Sequence, residues 1–155
     1  MIDFIPLKIY YDIYIYFCCF LVVANLLHAY TVPLNDPKNL KFLRTSGLFL
    51  LVLVTFYLGL RPLSSSAFGD MVHYSRYFNN YAQGFSINTE KGFLFHFYMK
   101  TLSYGVSLHS FFLITYTLYI LPMYFISKKY FKAYWFYGFL MFLVSFSFYS
   151  YGTNG

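Results

Sequence analysis

Long runs without one charged side chain dominate this sequence. Residues 13–30 (IYIYFCCFLVVANLLHAY) contain none, and neither do residues 106–126 or 134–151. A further apolar run, residues 45–63, holds a single charge, Arg61, close to its end. A helix that crosses hydrocarbon needs about 20 mainly apolar residues. The sequence therefore predicts an all-α, polytopic membrane helix bundle with about four transmembrane helices, forming a single transmembrane domain over residues 1–155. Asp12, just before the first run, suits a helix N-terminus. That run is not a cleavable signal, because no cluster of positive charge precedes it and no small-x-small site follows before Pro33.

Composition excludes the other classes. Charged residues make up 10% of the chain, where a soluble chain averages about 25%. Such a chain has too few charges to cover a globule. Disorder is excluded by the 26% aromatic content, which comes from 21 Phe, 19 Tyr and 1 Trp. The net charge of +6 falls in short segments between apolar runs, so it reads as topology and not as a nucleic-acid surface. Cys18 and Cys19 are adjacent within an apolar run and read as small apolar residues facing lipid or a neighbouring helix. Tyr10, Tyr11, Tyr30, Tyr130, Tyr134 and Trp135 stand at the ends of the runs, where amphipathic rings meet headgroups.

Residues 92–104 (GFLFHFYMKTLSY) are apolar but short and contain Lys100. His96, Lys100, Ser103 and Ser107 recur at helical spacing as one polar stripe. This predicts an amphipathic helix at the membrane surface. The positive-inside rule agrees. Lys38, Lys41 and Arg44 separate the first two runs, and Lys128, Lys129 and Lys132 separate the last two. Both groups share a side only if residues 92–104 do not cross. The N-terminus and residues 62–105 are then outside, and both Lys/Arg segments are inside.

The outer segment is long enough to be functional. Asp70 can cap a helix that runs to about Gln83 and stops at Gly84. Met71, Tyr74, Phe78 and Tyr81 make its apolar stripe, and His73, Arg76, Asn80 and Gln83 its polar one. Asn88 or Thr89 can cap the next helix. One or two amphipathic helices thus rest on the bundle. Ionisable groups near membrane depth are functional candidates. Arg61 can grip a phosphate in bidentate fashion or snorkel to headgroups. Asp70 and Glu90 can act as bases or stabilise helix N-termini. Arg76, Lys91 and Lys100 read singly as solvated or lipid-facing. His28, His73, His96 and His109 show no paired metal spacing, so neither a metal nor a cofactor is expected.

Several short motifs, in order, carry a resemblance: Gly59-Leu60-Arg61-Pro62, Phe68-Gly69-Asp70-Met71 with Tyr74 one turn on, Glu90-Lys91-Gly92-Phe93, and Tyr151-Gly152-Thr153-Asn154-Gly155. Together they resemble the EpsG family of multi-pass bacterial membrane proteins, which serve exopolysaccharide, capsule and O-antigen synthesis in the manner of Wzy polymerases. The resemblance implies an enzyme of the cytoplasmic membrane that moves a glycan from polyprenyl pyrophosphate to a hydroxyl of an incoming lipid-linked repeat unit. Asp70 or Glu90 would take the hydroxyl proton. Arg61, with Arg76 or Lys91, would stabilise the leaving pyrophosphate, and Tyr74 and Asn154 are supporting candidates. Partners would be membrane lipid, the lipid-linked oligosaccharide and other polysaccharide-assembly membrane proteins, with no nucleic acid. Members of the family are much longer, so the resemblance also implies that the chain is an N-terminal part whose active site would draw on both halves. The rival readings are a transporter of lipid-linked sugars and a non-catalytic accessory membrane protein.

Overall fold

The computed structural model describes residues 5–62, 69–87 and 92–152. Among these, every regular element is helical: α1 Leu7–Thr31, α2 Pro37–Gly59, α3 Gly69–Ala82, α4 Phe93–Ser103, α5 Leu108–Phe131 and α6 Trp135–Gly152. A short 3-10 turn, Lys132–Tyr134, joins α5 to α6. Three stretches are long and apolar enough to cross a membrane: Asp12–Thr31, Pro37–Gly59 and Leu108–Ser145. The last covers 38 residues and includes the 3-10 turn. Large apolar side chains lie bare along these helices, among them Tyr16 at 73% and Phe20 at 65% exposure on α1. Faces of that kind are unstable in water and at home in lipid.

Helix ends differ from the sequence expectation in instructive ways. α1 begins at Leu7, so Asp12 lies within the helix and not at its start. α2 begins at Pro37 and ends at Gly59. Lys38, Lys41 and Arg44 therefore ride on the first turns of α2 and not in a loop. The physical reason is length. Twenty-three residues rise about 35 Å, more than the roughly 30 Å of hydrocarbon, so charged flanks can stay helical in the headgroup layer. α4, at 11 residues, rises about 16 Å and cannot cross.

Contacts divide the chain into two compact units. One is built on Met1–Leu7 and Thr55–Thr117, the other on Lys8–Val54 and Leu118–Gly155.

In the second unit the α1–α2 turn is fixed by side chains. Asp36 accepts from the Lys38 amide at 2.8 Å, and Pro37 follows it at the first helical position. The buried Asn39 donates its amide to the Pro33 carbonyl at 3.2 Å. This turns its own oxygen toward His28 Nε2, 2.7 Å away. Asn35 accepts a hydrogen bond from the Tyr134 hydroxyl, tying the same turn to the start of α6. Nearby, Gly47 gives α2 the room to meet the Trp135 ring, which a Cβ at that position would overlap.

The first unit packs α3 against α4 and the start of α5. Phe78, Tyr81, Met99 and Phe111 form its buried centre. Phe78 and Phe111 meet at 5.1 Å between ring centroids. Gly59 allows α2 to approach the backbone of Leu113, which a Cβ would crowd. Ser107 caps α5, accepting from the Ser110 amide at 3.3 Å.

Met99 is fully buried whereas Leu94 is 81% exposed, although both lie on α4. Met99→Ala is expected to cost about 2–5 kcal/mol, and Leu94→Ala no more than about 0.5 kcal/mol. Thermal melts of the purified protein in detergent check the contrast.

Candidate functional site

Arg61 follows the C-terminal end of α2, where Gly59 and Leu60 close the helix and a buried Pro62 prevents its continuation. Its side chain is half-buried, and its Nε donates to Met71 Sδ at 2.7 Å. Met71 is buried in the first turn of α3. The contact joins two segments that the sequence separates, Gly59–Pro62 and Gly69–Met71. Asp70 precedes Met71 in that same turn. α3 starts at Gly69, so Asp70 sits inside the first turn and not before it. The Asp70 side chain lies outside the described residues. A carboxylate in a first helical turn is favoured by the helix dipole.

Tyr74 lies one turn beyond Asp70, half-buried, with its ring edge-on to Phe95 at 5.2 Å. Arg76 stands on the exposed face of α3, away from the buried Met71–Phe78–Tyr81 face that Arg61 approaches. Glu90, Lys91 and Asn154 lie outside the described residues, as do Asn88 and Thr89, the expected caps of α4. The residue before α4 is Gly92 at φ 70°, with no side-chain cap. Positive φ suits glycine there and again at Gly84, φ 92°, where α3 ends. Among the described residues no three His, Cys, Asp or Glu side chains converge as a metal site.

One polar cluster escaped the sequence reading. Of the stripe His96, Lys100, Ser103 and Ser107, Ser107 alone is exposed. Ser103 is buried, His96 and Lys100 are half-buried, and Phe93, Leu94, Phe97 and Tyr104 carry the exposure instead. His96 Nδ1 pairs with the Tyr81 hydroxyl at 2.8 Å. Tyr77 stands perpendicular to the imidazole at 5.0 Å, and the Tyr81 and Phe95 rings lie close by. The signal was available in the spacing. A polar stripe on one amphipathic helix has a natural partner in the polar atoms of the next.

Burial raises the Tyr81 phenol above its ordinary value of 10.0, with the neighbouring Tyr77 adding to the shift. Tyr81 therefore stays protonated, and when it donates to Nδ1 the neutral imidazole carries its proton on Nε2.

No family model matches the chain, and neither a curated protein nor a solved structure does.

The raised Tyr81 value fixes the sign of an alkaline effect. A group whose folded value lies above its unfolded one contributes stability below pH 10 that is lost as pH climbs through the folded value. Melting of the α3–α4 pair is expected to fall in that window, and Tyr81→Phe to flatten the fall. Melts at stepped alkaline pH, wild type against variant, read it out.

Proposed function

We propose that this chain belongs to a polysaccharide polymerase of the bacterial cytoplasmic membrane. It would join polyprenyl-pyrophosphate-linked repeat units on the outer face. The observation that carries the reading is the Arg61–Met71 contact, which draws the Gly59–Pro62 motif onto the helix turn that bears Asp70. The ordered motifs that resemble the EpsG family supply the reaction class.

In this reading the chain crosses four times, with α5 and α6 as separate spans on either side of the 3-10 turn. α3 and α4 form the outer layer. The acceptor hydroxyl attacks the anomeric carbon of the growing glycan. A carbon–oxygen bond forms there as the bond to pyrophosphate breaks. Asp70 or Glu90 takes the hydroxyl proton, and pyrophosphate leaves with both electrons of the broken bond. Arg61 offers planar donors to the departing phosphate oxygens, with Arg76 or Lys91 adding positive charge. Tyr74 and Asn154 would support substrate. Partners would be the lipid-linked oligosaccharide and other assembly proteins of the same membrane.

The test places Asp70→Asn and Arg61→Ala in the gene and examines surface polysaccharide by gel. Loss of the long-chain ladder with accumulation of single repeat units is expected in both. Removing a transition-state charge contact typically costs about 100-fold or more in rate. A normal ladder in both variants overturns the assignment. Lipid-linked units trapped on the inner face would identify a transporter instead.

A further inference from the structure

In the second unit a groove of about 610 Å³ runs between α1 and α6. Leu26 and Ala29 of α1, Leu34 of the α1–α2 turn, and Leu140 and Met141 of α6 make it almost wholly apolar. Its size is that of a small-molecule site. Three polar residues enter the lining: Asn25, Tyr137 and Ser145. The Asn25 amide is already used, donating to the Leu21 carbonyl at 2.7 Å. The Tyr137 hydroxyl is buried and has no hydrogen-bond partner among the described residues. An unpaired buried hydroxyl costs free energy that a ligand oxygen can recover.

Charge identifies the ligand class. The groove reaches the end of the unit where Asn35 and Tyr134 meet. Lys38, Lys41 and Arg44 lie on the first turns of α2 at that end, and Lys128, Lys129 and Lys132 lie just before α6. All six side chains are exposed. The acid among them, Asp36, is occupied by the Lys38 amide. An apolar slot between membrane helices, with exposed cations at the same end of those helices, suits an anionic lipid.

We propose that this groove holds one acyl chain of an anionic phospholipid from the surrounding bilayer. The Tyr137 hydroxyl donates to the ester carbonyl near the head of the chain, and the lysines before α6 meet the phosphate. The site stands apart from the polymerase reading, because it uses neither Arg61 nor the α3 turn.

The experiment is native mass spectrometry of the full chain purified in mild detergent, with phosphatidylglycerol, phosphatidylcholine or glycerol 3-phosphate added. Phosphatidylglycerol is expected to be retained at one per chain, about tenfold better than phosphatidylcholine. Glycerol 3-phosphate should not displace it. Ala29→Phe should abolish retention by filling the slot. Joint Lys128→Gln, Lys129→Gln and Lys132→Gln should remove the headgroup preference. Tyr137→Phe, nearly isosteric, should weaken both lipids about two- to tenfold. Helix content by circular dichroism identifies any variant that fails to fold, and Tyr137→Phe then carries the test alone. Equal retention of the two lipids overturns the proposal, as does displacement by glycerol 3-phosphate. So does undiminished retention in Ala29→Phe or in Tyr137→Phe, or a dimer of the chain that excludes lipid.

Discussion

Hydrocarbon offers a peptide group no hydrogen-bond partner, and every other feature of this protein follows from that. Each crossing segment must satisfy its own N–H and C=O groups, so the long apolar runs become helices. Charges are costly at the bilayer centre and gather at the ends of these helices. Close approach between helices is then decided by small residues more than by hydrophobicity. Gly47 against Trp135 and Gly59 against Leu113 are the clearest instances.

The polarity of α4 is inverted. A helix of 11 residues cannot cross, yet its exposed face is Phe93, Leu94, Phe97 and Tyr104. Its polar atoms turn inward to the neighbouring helix, where Tyr81 pairs with His96 and Tyr98 with Thr115 at 3.0 Å. In water that arrangement would be inside out. His96 and Tyr98 thus meet polar partners on neighbouring helices, while Phe93, Leu94, Phe97 and Tyr104 take the exposed side. These pairs add to the packing of the Phe78–Met99–Phe111 centre.

Periodicity and charge were enough to read the helical class and the apolar stripe of α3 from the sequence, since both depend on local spacing. Met71, Phe78 and Tyr81 are buried and Arg76 and Asn80 exposed, as that spacing requires. Helix ends were less legible. Asp12 looks like an N-terminal residue, but the helix extends back to Leu7, because apolar side chains such as Ile9 and Tyr10 continue its pattern. Gly92, in the left-handed region, opens α4 where Asn88 or Thr89 offered a familiar cap. The stripe of His96 and Ser103 gave its spacing but not its direction, which depends on what the next helix presents. The Arg61–Met71 contact was invisible for a different reason. It joins residues ten apart in the sequence, a pairing that helical spacing does not specify.

In the proposed topology residues 62–105 lie outside the membrane and both Lys/Arg segments lie inside. Single cysteines in place of Arg76 and of Lys129, with Cys18 and Cys19 replaced by alanine, report on it through a membrane-impermeant maleimide. Arg76→Cys should label in intact cells, and Lys129→Cys only after the membrane is opened. Labelling of both positions in intact cells would contradict the account.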